Sequence, residues 1–161
     1  MLDAEAPDRP RLPSRLEPHL ALGPSVRTLY GDPLGAATLE LGLGGATGRF
    51  AWAIATDFSL GATAFGVRFE ELHQGPYFEY RRDRLRVGGG LNAGFLWLHR
   101  VSRDRTAMLL TVVTYPQLSW DLTRLAGAQS IYLVARPALG IFFGDGPQFT
   151  FNLFAGIGVR L

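Results

Sequence analysis

The stretch Gln148–Leu161 constrains the fold most, because its side chains alternate in character along its whole length. Its odd-numbered positions are all apolar, and its even-numbered positions are polar or very small except for Phe154. A period of two over this length is typical of a β-strand with one apolar face. The stretch also exceeds the roughly 9–11 residues that a tilted strand needs to cross a bilayer.

The composition favours a membrane barrel over other classes. The chain has 161 residues, of which 47% are apolar, 19% are charged and 20 are glycine. This length suits one domain, and the mixture is too apolar for a disordered chain. No run of about 18 apolar residues provides a transmembrane helix, and a membrane protein without one must close its strands into a barrel.

The charge pattern and the absence of cysteine exclude several functions. The chain has no cysteine, so disulfides and thiolate metal sites are excluded. All 16 basic residues are arginine, the net charge is only +2, and no basic stripe with interleaved aromatics appears. Nucleic acid is therefore not an expected partner. Residues 1–5 lack the pattern of a signal peptide, so an exported protein would have lost its signal before this sequence begins.

The alternation divides the chain into an arm and one barrel domain. Residues 1–18 carry four prolines among charged residues, which predicts an extended or disordered arm. From residue 19 to residue 161 alternating segments recur between turns. They give about eight strands, an even number that returns both chain ends to one side. The predicted fold is an all-β, antiparallel, up-and-down transmembrane β-barrel.

Two hairpin registers follow from matching apolar positions. The segment Asp32-Pro33-Leu34-Gly35 predicts a type I turn, with Arg27 opposite Glu40. A second register pairs Trp97 with Met108 and lays the ring of Tyr115 over Gly90.

The fourth strand of the barrel has a less regular pattern. The apolar positions change parity around residues 61–63, which places Phe69 on the outward face. The same strand is predicted to be interrupted near residues 73–76.

The two faces allow two kinds of barrel. In a soluble barrel of lipocalin type the apolar face would point inward. The large side chains would then overfill an eight-stranded lumen, which is just wide enough for side chains. The transmembrane alternative points them at lipid and places paired charges inside. It predicts an interior polar network of Arg27, Glu40, Asp57, Arg68, Glu70, Arg86, Asn92, Tyr115, Asp121, Arg136 and Arg160.

Large aromatic residues fall near predicted strand ends, where transmembrane barrels carry interfacial girdles. They are Tyr30, Trp52, Trp97 and Trp120.

The pattern over residues 19–161 resembles the small eight-stranded outer-membrane proteins of Gram-negative bacteria. This resemblance implies an outer-membrane location and contact with outer-membrane lipid or lipopolysaccharide. It also implies a terminal strand that is read by the barrel-assembly machinery, for which Gly156, Ile157, Val159 and Leu161 fit. That family usually ends in an aromatic residue, and Leu161 departs from this.

Three prolines lie inside predicted strands, where a proline removes a hydrogen bond of the strand ladder. They are Pro24, Pro116 and Pro137, and the last two are expected at nearly the same level, which predicts a gap in the ladder. Outer-membrane lipid A palmitoyltransferase is similar in size and has prolines beside lateral openings. Its catalytic pattern includes an adjacent Asp-Ser pair, which does not occur in this chain, so no catalytic residue is carried over.

The histidines predict no catalytic, cofactor or metal site. His19, His73 and His99 lack the specific spacing of a nucleophilic site, and only His73 has several acidic residues nearby. The expected function is an envelope protein with a structural, scaffolding or partner-binding role and without an open pore. The alternative is a lipid A acyltransferase or deacylase, or a lateral conduit for small apolar molecules.

Overall fold

A computed structural model describes residues 15–29, 31–63, 66–100, 105–124, 129–144 and 146–161. The described segments form β-strands joined by turns. Their bounds are β1 Arg15–Leu16, β2 His19–Leu29, β3 Asp32–Thr47, β4 Phe50–Ala62, β5 Val67–Arg82, β6 Leu85–Arg100, β7 Arg105–Arg124, β8 Ser130–Phe143 and β9 Pro147–Arg160. Within these residues no helix is long and apolar enough to cross a membrane.

The strands β2–β9 form a closed antiparallel barrel. Each strand pairs with the next along the chain, and β9 returns to pair with β2, where Leu20 lies opposite Val159. The short β1 adds to β3. The barrel end that holds β1 and the end of β9 is called the terminal end below, and the other is the distal end. The predicted all-β, up-and-down barrel of eight strands is confirmed.

The two faces of the barrel differ as the alternation predicted. Large apolar side chains point outward and stay exposed along every barrel strand, among them Phe149 at 82%, Leu139 at 65% and Phe78 at 64%. The inward face buries charged and hydroxyl side chains, including Arg27, Glu40 and Asp57. This is the reverse of a water-soluble protein, in which charged groups are rarely fully buried.

The predicted register of the first hairpin is wrong. The structure pairs Leu29 with Asp32 and Arg27 with Leu34, so the turn lies before Asp32, and residues 32–35 belong to β3. Gly31 has a φ of 89°, which glycine adopts without steric cost, and this permits the tighter turn. The shift is an even number of residues, so every side chain keeps its predicted face.

The predictions for β5 are also wrong. The strand continues from Val67 to Arg82 without interruption, and Phe69 points inward at 1% exposure. Pro76 is accommodated because its missing N–H would face β6, which has no ladder pair at this level, while on its other side Pro76 pairs with Ile54 of β4. By contrast, the β6–β7 register is confirmed, since Trp97 lies opposite Met108 and Tyr115 opposite Gly90.

Candidate functional site: the ion-pair column inside the barrel

Most of the predicted interior polar residues lie inside the barrel. Buried there are Arg27, Glu40, Asp57, Arg86, Asn92, Tyr115, Asp121, Arg136 and Arg160. The prediction is wrong for Arg68 and Glu70, which are exposed on the outer surface. Its error follows from Phe69, because this apolar side chain points into the barrel and shifts the apparent apolar face of β5 by one residue.

Arginines and acids from four strands meet near the terminal end. Arg86 of β6 donates to Glu79 at 2.8 Å and to Asp121 at 3.2 Å. Arg160 of β9 donates to the other carboxylate oxygen of Asp121 at 2.7 Å and to Ser119 at 2.9 Å. Asp121 thus accepts from both arginines, which is the pairing that buried charges require.

Glu17 lies at the terminal end of the buried ion pairs inside the barrel, which together are called the ion-pair column. It lies between β1 and β2 with only 6% exposure, and its backbone N–H donates to the carbonyl of Gly44 at 2.9 Å. Its carboxylate forms ion pairs with Arg15 and with Arg81 of β5. Residues 1–14 of the predicted arm lie outside the described residues, while β1 and Glu17 are part of the barrel structure.

The middle of the column is organised by Arg136. Its guanidinium donates to Glu40 at 2.5 Å and lies 3.0 Å from Asp57. The same group stacks over the ring of Tyr115, 4.6 Å from its centroid. Asn92 donates its amide to the second oxygen of Asp57 at 2.9 Å. One cation therefore holds two carboxylates that come from β3 and β4.

A smaller cluster lies toward the distal end. Arg27 forms an ion pair with Glu71 at 2.5 Å, and His73 contacts the same carboxylate oxygen at 3.2 Å. His73 is also hydrogen-bonded to Thr111 of β7. Both contacts of His73 use the Nε2 atom. A catalytic relay needs the base to be oriented through its other ring nitrogen, so this cluster has the geometry of a structural network.

Apolar side chains fill the interior beyond this cluster. This set, called the apolar plug, consists of Leu29, Leu34, Phe69, Leu96, Leu109 and Phe142. Its members come from β2, β3, β5, β6, β7 and β8, and all are at most 8% exposed. The interior thus changes from charged at the terminal end to apolar at the distal end.

The interior has little free space beside Glu17. A cavity of about 10 Å³ lies among Glu17, His19, Tyr77, Gln117 and Arg160. This is close to the smallest volume that holds one water molecule.

Several interior residues were missed by the sequence analysis. Glu71, His73, Tyr77 and Glu79 all lie on the inward face of β5. A signal for the β5 residues was present, because an unbroken odd-numbered face from residue 69 to 79 places all of them inside. The assumed interruption near residue 75 concealed it.

The described part of the chain has no group of three or more His, Asp or Glu side chains placed to hold a metal ion. His99 lies at the distal end on the outside, bonded to Thr106 at 3.1 Å.

The ladder has breaks where prolines lie. Pairs between β7 and β8 are interrupted between Thr114–Leu139 and Leu118–Ala135, a register that sets Pro116 directly opposite Pro137. Pairs between β2 and β9 are interrupted beside Pro24 in the same way. Tyr115, Gln117 and Arg136 fill the interior behind the β7–β8 break, and all three are buried.

The predicted girdle and assembly-signal residues lie on the surface. Trp52 is 55% exposed and Trp120 is 48% exposed near the terminal end, and Trp97 is half-buried near the distal end. Tyr30 lies outside the described residues. In β9, Ile157 and Val159 point outward with Leu161 beyond them, whereas Gly156 is on the inward face.

Comparisons with known proteins show the fold. No family model matches the sequence, and no curated protein matches it. Among solved structures, Neisserial surface protein A (NspA) aligns with a TM-score of 0.66 at 10% identity, over 92% of this chain and 98% of that chain. Ail, the attachment invasion locus protein of Yersinia pestis, aligns with a TM-score of 0.52 at 11% identity, over 92% and 97%. The chain has the closed eight-stranded fold of these outer-membrane barrels.

Proposed function

We propose that the chain is an integral β-barrel of the bacterial outer membrane with a structural, scaffolding or partner-binding role and no open pore. The observation that carries this proposal is the inverted arrangement of its two faces. Leucines, phenylalanines and tryptophans cover the outside, while ion pairs fill the inside.

The outward face requires a lipid environment. Monomeric soluble proteins rarely expose an apolar patch larger than a few hundred Å². Here exposed apolar side chains continue around all eight barrel strands, for example Leu22 of β2, Leu139 of β8 and Ile157 of β9. Such a belt would make the protein aggregate in water, whereas lipid tails cover it. The closed ladder also leaves no edge strand of the barrel with unpaired backbone groups in the bilayer.

The interior supports the absence of an open pore. An eight-stranded barrel has room for side chains only. Arg136 and Arg27 each bridge the lumen to acids on distant strands, and the apolar plug follows them at the distal end.

The expected partners follow from this location. They are outer-membrane lipid or lipopolysaccharide around the barrel, the barrel-assembly machinery that would read β9, and other envelope proteins. Ail was solved with a heparin analogue, sucrose octasulfate, at 14% identity to this chain. At this identity the ligand remains a property of Ail.

Reconstitution tests the main proposal. The purified chain should require detergent or lipid to stay monodisperse, and it should show no steady conductance in a planar bilayer. A monodisperse chain in buffer without surfactant would contradict the membrane location. Large steady conductance steps would contradict the closed interior and leave the location intact.

One observation supports a second candidate, an enzyme or conduit acting on lipid through the barrel wall. Pro116 and Pro137 face each other at a break in the β7–β8 ladder, and both are exposed on the outward surface. Lipopolysaccharide incubated with the reconstituted protein should then lose or gain an acyl chain, and Pro116→Val/Pro137→Val, which closes the break, should reduce this turnover. No turnover with any lipid tested would retire this candidate.

A further inference from the structure

We propose that the outer wall of the barrel between β4 and β6 binds an anionic phospholipid at the terminal end, with its acyl chain in an aromatic groove and its headgroup on Arg49 and Arg82. This inference rests on the proposed membrane location and adds a specific lipid class and position. The name aromatic groove is used here for the outward depression lined by Phe50, Trp52, Phe78, Tyr80, Val87 and Gly89.

The groove exists because one outward position lacks a side chain. Gly89 lies on the outward face of β6, directly between Phe78 of β5 and Pro116 of β7. A Cβ atom at this position would lie 2.6 Å from the carbonyl oxygen of Tyr115, so the site cannot hold a larger residue without moving the backbone. The missing side chain leaves a floor of bare backbone between the walls of the groove.

The walls are aromatic and exposed. Trp52 is 55% exposed and Phe78 is 64% exposed, and these two residues lie opposite each other in the β4–β5 ladder. The next pair toward the terminal end is Phe50 and Tyr80, whose ring centroids are 5.3 Å apart at 61°. The groove has a volume of about 410 Å³, within the range of about 300–1,000 Å³ usual for small-molecule sites. These walls suit a hydrocarbon chain.

The terminal end of the groove carries the polar contacts of a headgroup. Arg49 is exposed, and its guanidinium donates to the hydroxyl of Tyr80 at 3.2 Å. The backbone N–H of Arg81 donates to the carbonyl of Arg49 at 2.8 Å, which brings Arg49 beside the turn that follows β5. Arg82 is exposed at the start of that turn and Arg84 is exposed within it, with Asp83 between them. Four neighbouring charged residues therefore give a net positive site.

The net positive charge of this site favours a lipid with an anionic headgroup. Guanidinium groups pair well with phosphate oxygens, and Arg49 retains free N–H donors because Tyr80 uses one. A zwitterionic headgroup offers the same phosphate but adds a cation that these arginines repel. An anionic phospholipid such as phosphatidylglycerol therefore fits the site best.

Fluorescence quenching by brominated lipids tests this inference. The variant W97F/W120F leaves Trp52 in the groove wall as the only tryptophan, and the variant W52F/W120F leaves Trp97, which lies opposite Glu70 near the distal end. Each is inserted into phosphatidylcholine vesicles that contain either brominated phosphatidylglycerol or brominated phosphatidylcholine. Trp52 should show an affinity for phosphatidylglycerol about fivefold or more above that for phosphatidylcholine, whereas Trp97 should show no such preference.

Substitution of the headgroup site gives the decisive comparison. R49Q/R82Q in the Trp52 background should bring the preference close to one, and high salt should reduce it in the unsubstituted chain. Equal quenching by both lipids, or a preference that R49Q/R82Q leaves unchanged, would overturn the inference. Quenching of Trp97 but not of Trp52 would also overturn it and would indicate that a second copy of the chain covers the groove. Quenching of neither tryptophan would instead contradict the membrane location itself.

Discussion

Arg136 and Glu40 meet across the lumen at 2.5 Å, although their strands β8 and β3 are separated by β2 and β9 around the barrel wall. The pair thus ties opposite parts of the wall together through the interior. Arg136 also lies 3.0 Å from Asp57, so two buried carboxylates share this one guanidinium.

Removing this cation should destabilise the barrel strongly. Arg136→Met is expected to lower the free energy of unfolding by about 3–5 kcal/mol, since it removes the guanidinium that two buried acids share. Urea unfolding in lipid vesicles measures the change. Adding Glu40→Gln and Asp57→Asn to the same chain should recover part of the loss. A loss below about 1 kcal/mol for Arg136→Met alone would contradict the ion-pair column.

Two adjacent phenylalanines allow a matched test of the apolar plug. Phe142 is 1% exposed inside the barrel, whereas Phe143 is 45% exposed on the outside. Phe142→Ala should cost about 3–5 kcal/mol of unfolding free energy, because it leaves a cavity among packed side chains. Phe143→Ala should cost less, since lipid tails can fill the space. Similar losses for both variants would contradict the assignment of faces.

A charged side chain on the outward face should lower the free energy of unfolding more the deeper it lies in the bilayer. Leu139 lies in the middle part of β8 and is 65% exposed, and Phe149 lies near the distal start of β9. Leu139→Arg should lower the free energy of unfolding in vesicles by about 2–4 kcal/mol, and Phe149→Arg by about 0–1 kcal/mol. If both variants were as stable as the parent chain, the apolar belt would not face lipid.

The break between β7 and β8 should appear in amide hydrogen exchange. The amides of Thr114, Leu118, Ala135 and Leu139, which flank the break, should exchange about two- to tenfold faster than those of Val112 and Ile141, which are paired farther from it. Loss of one hydrogen bond, worth about 0.5–1.5 kcal/mol, accounts for this ratio.

Valine at both prolines serves as the control for that measurement. Pro116→Val/Pro137→Val restores an N–H donor at each of the two facing positions. It should therefore slow the exchange of the amides that flank the break. If the flanking amides of the parent chain exchanged as slowly as those of the pairs farther away, the proposed gap in the ladder would be contradicted.

The alternation of side chains carried enough information to predict the strand number, the closed barrel and the direction of most side chains. It did so because a period of two shows which face each residue occupies. Lipid favours apolar side chains on the outward face, whereas the lumen favours polar ones. Even the wrong register at Arg27 left its inward direction unchanged, since the shift was an even number of residues.

Alternation alone could not predict the apolar plug or the pairs within the column. Phe69 is apolar and points inward, so on β5 hydrophobicity no longer distinguishes lipid from lumen. The assignment of Arg68 and Glu70 to the interior failed for this reason. Contacts such as that of Arg27 with Glu71 depend on the stagger of strands distant in sequence, which no single strand specifies.

The seam between β2 and β9 has a consequence for biogenesis. The N–H of Leu161 donates to the carbonyl of Pro18 at 3.0 Å, which extends the seam beyond the last β2–β9 pair, His19 with Arg160. Until β9 pairs with β2, the cylinder is an open sheet with two edge strands whose backbone groups are unpaired, which hydrocarbon does not tolerate. A chain shortened by its final strand should therefore stall as a partner-bound intermediate, held by whatever protein lends a temporary strand to the open side.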